Sequence, residues 1–330
     1  MIRTFLFSAL LFCVVGKMRG QHSVSLTAVL NDSLKTLSVE QELIYHNTSS
    51  DTLYNIYLND WLNAFSSKST PLAKRFAEDY KREFHFSRQR ERGFTRVGSI
   101  TGKSGKLSWE RPKKHPDVIK IDLASPLPPG EKTTIRLKYT IKISSDDFTR
   151  YGYSKNGNYK LRYWFLTPAV YEQSWNVYSN KNLNDLFNPP LDLDITLTIP
   201  DDLAAVSGLN TETLASGANF KTVHLTGKNR LDYKLYLTRY YLFEEFRAGK
   251  TDIITNMDDE GLSPIMRNFE INRIFDFLNS RLGDYPHNTM LATREDYLKN
   301  PVYGLGQLPK FIRPFPEGFH YDLKLFKTIS

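Results

Sequence analysis

Few residues of this 330-residue sequence have types and spacing that could do chemistry. The seven histidines are scattered, and no two of them have metal-ligand spacing on one helix. The pattern H-E-x-x-H, which places two zinc ligands on one helical face, does not occur. His287 and His320 are each solitary, which is typical of surface or capping histidines. The single cysteine, Cys13, excludes an intramolecular disulfide and a cysteine-rich zinc module.

Residues 98–104 (GSITGKS) look like a phosphate-binding loop at first sight. The two glycines are one residue too close for the pattern G-x-x-x-x-G-K-[ST], and no helical pattern follows. A hairpin turn is therefore predicted instead.

A basic segment, residues 81–92, could suggest a nucleic-acid partner. Acidic residues such as Glu83 and Glu91 are interleaved with its Lys and Arg residues. This pattern favours a solvated helix face. No nucleic-acid partner is predicted.

The N-terminus has the composition of a secretory signal peptide. Arg3 supplies a positive charge, residues 5–15 are apolar, and a cleavage position follows near Gln21. The apolar run is too short to span a membrane, which takes about 20 residues. We predict a signal peptide over residues 1–21, no transmembrane segment in the mature chain, and an exported protein that is periplasmic, at the cell surface or secreted. Cleavage removes Cys13 and lowers the formal net charge from +8 to +5.

The elements that must position any site begin after this segment. With 40% hydrophobic and 24% charged residues, the chain is globular rather than disordered. Polar and apolar residues alternate with period two, which predicts half-buried strands. The segments are 23–30, 36–45, 117–123, 132–143, 192–199 and 220–225. Turn residues separate them, so residues 22–248 are predicted to form an antiparallel β-rich domain.

One helix is predicted inside this domain. Thr70 and Pro71 are residue types that favour the start of a helix, and apolar residues recur with helical spacing over residues 72–86. It is predicted as a single helix.

After residue 248 the pattern becomes α/β. Strands are predicted at 251–257 and 289–293, and Ser263-Pro264 opens a helix that runs to Arg281. Its predicted apolar face consists of Ile265, Phe269, Ile274, Phe275 and Leu278. A loop at 300–318 and a helix-like segment at 319–329 follow. Residues 249–330 are thus predicted to be an incomplete α/β domain.

A series of segments gives the sequence a family resemblance. They are residues 59–65, 69–73, 126–131, 148–152, 163–171, 193–200, 206–208 and 283–286, and YWFLTPAVY at 163–171 is the most specific. In this order they resemble the front part of the aminopeptidase N-like zinc metallopeptidases, within the gluzincin clan and an exported bacterial branch. The resemblance implies a mainly β fold: a saddle-like antiparallel β domain, followed by the start of a thermolysin-like α/β catalytic domain.

The resemblance also implies a zinc site and a substrate loop. Active members hold one zinc ion with H-E-x-x-H and a downstream Glu, and the Glu inside the motif activates the zinc-bound water. Ahead of it, a G-x-M-E-N or G-G-M-E-Y-P loop uses its Glu to hold the α-ammonium of a peptide. The matching stretch here is Gly304, Leu305, Gly306, Gln307, Leu308 and Pro309. Only Gly304 and Pro309 agree with the family.

Gln307 stands at the position of that Glu. A neutral amide can accept a hydrogen bond from an amine but does not offset its charge, and charge-assisted bonds are roughly twice as strong. Residues 304–308 are therefore predicted either to be a plain loop or to retain a peptide-binding role.

Three functions are compatible with these observations. The preferred one is an exported metallopeptidase-family protein that is non-catalytic within residues 1–330, binds peptides or protein N-termini, and has no cofactor in this chain. Residues 323–329 would then be a degenerate replacement for the zinc helix. The second is an active zinc aminopeptidase whose zinc motif lies beyond Ser330. The third is a β-rich structural or adhesion module.

Overall fold

The computed structural model describes residues 22–181, 186–257 and 262–299. The predicted signal peptide, the loop at 300–318 and the helix-like segment at 319–329 lie outside these residues.

Strands are the commonest secondary structure of the described chain. In chain order they are β1 (His22–Asn31), β2 (Thr36–His46), β3 (Leu53–Asn59), β4 (Phe94–Gly102), β5 (Gly105–Lys106), β6 (Trp109–Glu110), β7 (Val118–Leu127), β8 (Lys132–Lys142), β9 (Gly152–Tyr153), β10 (Tyr159–Leu161), β11 (Thr167–Pro168), β12 (Tyr171–Glu172), β13 (Ser174–Trp175), β14 (Leu191–Pro200), β15 (Ala204–Ser207), β16 (Asn210–Ser216), β17 (Phe220–Arg230), β18 (Leu235–Thr238), β19 (Glu244–Ala248), β20 (Thr251–Thr255) and β21 (Thr289–Ala292). The helices are α1 (Pro71–Glu78), α2 (Glu83–Phe86), α3 (Pro264–Leu282) and α4 (Arg294–Lys299).

The largest sheet has the order β16-β17-β14-β1-β2-β8-β4-β5. Its strands β1, β2 and β14 bury every second residue, as Val24, Leu26 and Ala28 of β1 illustrate. The mainly β fold and the six predicted strands are confirmed. One pair departs from the antiparallel rule, because β1 and β14 run parallel. The β1 strand therefore lies between β14 and β2, in the interior of the sheet.

Smaller sheets pack against the largest one. They have the orders β15-β18-β10-β9, β11-β3-β7-β6 and β12-β13. Side chains from these sheets, including Ile56, Tyr159 and Leu237, join those of the largest sheet in one hydrophobic core. The smaller sheets and the loops between them carry the candidate site described below.

The single helix predicted over residues 72–86 is wrong in its length. Thr70 caps α1 as predicted, since its hydroxyl accepts a hydrogen bond from the Ala73 amide at 3.2 Å. However, α1 ends at Glu78, and Tyr80 adopts a left-handed conformation with φ 57°. The Lys81 amide then bonds back to the Phe76 carbonyl, which is the pattern of a Schellman motif. The chain turns here and starts again as α2.

The phosphate-loop-like segment is a hairpin, as predicted. It joins β4 to β5, with Gly102 opposite Gly105. Gly105 has a φ of +113°, a conformation that glycine adopts at little cost.

The α/β part is a three-stranded sheet, β19-β20-β21, with α3 packed on it. The predicted helix start is confirmed, because the Ser263 hydroxyl accepts a hydrogen bond from the Met266 amide. A left-handed Gly283 follows the helix. The β19–β20 hairpin crosses the predicted domain boundary at residue 248. No helix in the described part of the chain is long and apolar enough to span a membrane.

The predicted apolar face of α3 is partly wrong. Ile265 and Phe269 are 80% and 59% exposed, so they lie outside the packed face. The packed face instead contains Arg267 and Ile271, followed by residues 274, 275 and 278. Arg267 is buried because it pairs with Glu244 of β19 at 2.5 Å. This pairing is not visible in the helical pattern.

Candidate functional site

A cleft opens where four irregular segments of the β-rich part meet. They are the 3-10 helix Trp61–Phe65, the loop between β8 and β9, the loop between β10 and β11, and the segment after β13 that contains Asn180. The cleft is small and encloses about 30 Å³, room for a water-sized group. Half of its lining residues are aromatic, and the lining includes Trp61, Phe65, Tyr151, Arg162, Tyr163 and Asn180.

A stacked pair of rings forms one wall of the cleft. The Trp61 and Tyr163 rings have centroids 4.4 Å apart and an interplanar angle of 23°. Tyr163 also contacts Tyr233 edge-on at 5.8 Å. The Tyr163 backbone is left-handed, with φ 47°, a conformation that costs energy in a non-glycine residue and clusters at functional sites. Core packing on Tyr233 holds this strained turn in place.

The 3-10 helix that carries Trp61 is anchored through Asp60, whose side chain is 3% exposed. Asp60 Oδ1 accepts a hydrogen bond from Thr95 Oγ1, and Asp60 Oδ2 accepts one from Arg111 Nη2, both at 2.6 Å. The Asp60 amide donates to the Asp117 carbonyl at 2.9 Å. Because the carboxylate is nearly buried, its two partners fix the position of the first residue of the cleft.

A second buried carboxylate supports the opposite end of the lining. Asp117 Oδ2 accepts a hydrogen bond from the Asn180 amide at 2.7 Å. Burial raises the pKa of Asp117, although hydrogen bonds from Ser179 and Asn180 oppose the shift. Asn180 is thus positioned by the same short stretch of chain that binds Asp60.

Arg162 and Tyr151 connect the aromatic wall to a polar network. The Arg162 guanidinium lies over the Tyr163 ring at 4.9 Å and the Tyr151 ring at 5.7 Å, which are cation–π distances. Tyr151 Oη donates to Asp296 Oδ1 at 3.1 Å. Burial, and then the nearby Asp296 charge, raise the pKa of Tyr151 well above its usual value, so it remains a hydroxyl donor.

Lys234 is the centre of this polar network, and its side chain is 8% exposed. Its Nζ lies 2.5 Å from Asp296 Oδ2 and 3.0 Å from Asp232 Oδ2, and it donates to the Leu291 carbonyl at 3.2 Å. Burial alone lowers the pKa of Lys234, but the Asp232 and Asp296 carboxylates outweigh it and the pKa is raised. Likewise, burial favours a neutral Asp296, but Lys234 outweighs it and lowers that pKa. Both groups are therefore charged at neutral pH.

Further hydrogen bonds tie the segment after β21 to the β-rich part. Tyr236 Oη in β18 lies 3.2 Å from both Thr293 Oγ1 and Glu295 Oε2, within hydrogen-bond distance of each. Lys160 Nζ in β10 lies 3.5 Å from Glu295 Oε1. Thr293 Oγ1 in turn donates to Asp296 Oδ2 at 2.6 Å. The start of α4 is thereby fixed beside the cleft.

The residues predicted from sequence to bind substrate, Gly304, Leu305, Gly306, Gln307 and Leu308, lie outside the described residues. Their role stays a prediction. The last described element, α4, ends at Lys299, shortly before Gly304.

The described residues do not fit a catalytic zinc ion. Across residues 22–181, 186–257 and 262–299, no group of three or more His, Cys, Asp or Glu side chains is placed to hold a metal. His287 stacks edge-on with Tyr285, with ring centroids 5.2 Å apart. Burial, and then the Arg230 charge, lower the pKa of His287, so it is a neutral packing residue at neutral pH.

Solved structures share this fold. An M1 zinc metallopeptidase from Deinococcus radiodurans matches with a TM-score of 0.50 and 15% identity, over 82% of this chain and 55% of that chain. A variant of a two-domain M1 zinc metallopeptidase bound to L-tryptophan matches with a TM-score of 0.50 and 15% identity, over 83% of this chain and 56% of that chain. The chain has the M1 metallopeptidase fold. It spans little more than half the length of these structures. No protein-family model and no curated protein matches the sequence.

Three segments that line the cleft could be singled out from the sequence, but their role in forming a cleft could not. Residues 59–65, 148–152 and 163–171 carried the resemblance, and all three contribute to the lining. Arg162 and Asn180 were missed, since neither belongs to a recognisable motif. The available signal was the density of aromatic residues in these three segments.

Proposed function

We propose that the protein is a peptide-binding relative of the M1 zinc metallopeptidases that acts outside the cytoplasm. The proposed peptide site combines the cleft with residues 304–308. The proposed location depends on the signal-like composition of residues 1–21.

The polar network around Lys234 is the observation that carries this proposal. It fixes Thr293 and Asp296 beside Tyr151, so α4 starts next to the cleft. Gly304 follows the end of α4 by five residues in the sequence. We infer from this closeness in sequence that residues 304–308 contribute to the peptide site.

One residue of the sequence favours binding over aminopeptidase catalysis in this proposal. Gln307 takes the place of the Glu that holds the α-ammonium in the family. An active zinc aminopeptidase, with its zinc motif beyond Ser330, is the second candidate. Gln307 does not favour this second candidate, because the Glu that it replaces binds the substrate in active members of the family.

Calorimetric titration with short peptides tests the proposed function. We expect binding to the wild-type protein, with less than tenfold discrimination between a free and an acetylated N-terminus, because Gln307 is neutral. Gln307→Glu should increase the preference for the free amine by about tenfold or more, which is at least 1.4 kcal/mol. Gln307→Ala is the matched control and should not increase it. Absence of binding for every peptide contradicts the proposal.

Zinc content is a separate expectation. Purified protein comprising residues 1–330 should contain far less than one zinc ion per chain after dialysis, because H-E-x-x-H is absent. Elemental analysis by mass spectrometry measures this directly. Stoichiometric zinc that survives dialysis would show that another ligand set exists in these residues.

A further inference from the structure

The outermost strand of the largest sheet, β16, is attached to the sheet on one side. It pairs with β17, and no strand among the described residues pairs with its other side. All seven residues of β16 are exposed. An edge strand with so few buried contacts opens more easily than the interior strands of a sheet. A side-chain contact that ties β16 to its neighbours should therefore change how often it opens.

One histidine links β16 to two other strands on the solvent-facing side of this sheet. His224 of β17 lies opposite Glu212 of β16, and its Nδ1 is 3.0 Å from Glu212 Oε1. Its Nε2 is 2.9 Å from Asp194 Oδ1 in β14. The His224 side chain is 23% exposed, whereas those of Asp194 and Glu212 are 62% and 67% exposed. The three side chains form a row across β16, β17 and β14.

The placement of both His224 ring nitrogens beside carboxylates suits the imidazolium. A neutral imidazole has one N–H donor, and its other nitrogen is an acceptor. In the neutral ring, one of the two carboxylates would therefore face a lone pair instead of a donor. In agreement with this geometry, hydrogen bonds to Glu212 and then to Asp194 raise the pKa of His224.

The other charged groups around His224 are paired with each other. On the same face of β14 and β17 they are Asp192 and Lys228, and Lys228 Nζ lies 3.2 Å from Asp192 Oδ2. The strand β15, which contacts β16, has no charged residue. Glu212 and Asp194 are thus the groups that control the protonation of His224.

We propose that His224 is a pH-sensitive clasp that holds the edge strand β16 on the largest sheet. At low pH the imidazolium binds Glu212 and Asp194 together. Deprotonation leaves one donor for two carboxylates and removes the charge that attracts both, so β16 opens more often. Opening leaves the backbone edge of β17 available to pair with another strand. The clasp lies in the β-rich part and does not depend on the proposed peptide site.

The direction of the pH effect follows from the raised pKa of His224 in the folded protein. The value in the unfolded chain is about 6.5. The stabilisation of β16 should be complete below pH 6.5 and should be lost as the pH rises through the folded-state pKa. An NMR titration of the histidine rings in the full chain measures this pKa directly. We expect it above 6.5 in the wild type and lower in Glu212→Gln.

Hydrogen–deuterium exchange of the full chain, followed by mass spectrometry, measures the opening of β16. Protection factors for residues 210–216 are compared at pH 6 and pH 9 after correction for the intrinsic pH dependence of exchange. We expect protection to fall about two- to fivefold at pH 9, the size of effect that one exposed ion pair has. In His224→Gln, protection should be equal at both pH values and as low as in the wild type at pH 9.

Glu40→Gln is the matched control for the loss of a surface carboxylate. Glu40 lies on the same face of the sheet, is 68% exposed and pairs with Lys138 rather than with a histidine. This variant should keep the pH dependence of the wild type, whereas Glu212→Gln should reduce it. Circular dichroism at both pH values establishes that the variants are folded.

Three results would overturn the inference. One is equal protection of β16 at pH 6 and pH 9 in the wild type. Another is a fall in protection that persists in His224→Gln. The third needs no variant: titration of His224 at or below pH 6.5 would show that the two carboxylates do not hold its proton.

Discussion

Replacing Lys234 with methionine is expected to lower the free energy of unfolding by about 3–5 kcal/mol. The substitution leaves Asp296, whose side chain is only 17% exposed, without its ammonium partner at 2.5 Å. It also leaves the Leu291 carbonyl without its side-chain donor. Urea denaturation at neutral pH measures the loss. Because Lys234 fixes the start of α4, the same variant should weaken peptide binding.

Two comparisons make this expectation specific. Lys228→Met removes a lysine that is 86% exposed and pairs with Asp192, so it should cost less than about 1 kcal/mol. Lys234→Met combined with Asp296→Leu should recover part of the loss, since an apolar pair often replaces a buried ion pair without penalty. If Lys234→Met and Lys228→Met have equal effects, the buried pair does not stabilise the fold.

The dependence of the free energy of unfolding on acidic pH also reports on the Lys234–Asp296 ion pair. The folded-state pKa of Asp296 is lowered below its unfolded value of about 4. Its contribution is therefore present above pH 4 and is lost as the pH falls through the folded-state pKa. The difference in the free energy of unfolding between wild type and Lys234→Met should therefore become smaller as the pH falls from 7 to 3.

Replacing Asp60 with alanine is expected to lower the free energy of unfolding by about 3 kcal/mol. The change leaves Arg111, which is 21% exposed, without its carboxylate, and it removes the acceptor of the buried Thr95 hydroxyl. Since Asp60 precedes the 3-10 helix that bears Trp61, peptide binding should also weaken. Urea denaturation and a calorimetric titration with peptides measure the two effects.

The control for Asp60→Ala is Asp60→Asn. The amide retains an acceptor for Thr95 but loses the charge that faces Arg111, so its effect should lie between wild type and Asp60→Ala. Equal stability of all three proteins would show that the Asp60 network does not anchor the cleft.

The strands could be predicted from the alternation of polar and apolar residues, and the starts of the helices from their capping residues. β1 and β2 bury alternate residues on one face, and the same alternation is present in their sequences. Thr70 and Ser263 act within three residues of their partners, so their roles also follow from local sequence. Local rules fail where a distant residue decides the outcome.

Three features could not be predicted for this reason. The break after Glu78 has no glycine or proline to mark it, and Tyr80 adopts the left-handed conformation instead. The buried side of α3 depends on Glu244, which belongs to another element. The position of α4 beside the cleft depends on Lys234 meeting Asp296, two residues far apart in the sequence. No spacing rule connects such partners.

The interior position of β1 affects how the chain must fold as it is made. β2 follows β1 directly, but the other neighbour, β14, ends only at Pro200. At synthesis rates of about 5–20 residues per second, one edge of β1 waits on the order of ten seconds for that neighbour. An open strand edge is a template for pairing with other chains. Closure of the β1–β14 pair is therefore the step at which a nascent chain is most exposed to aggregation, and a chaperone that covers this edge would act there.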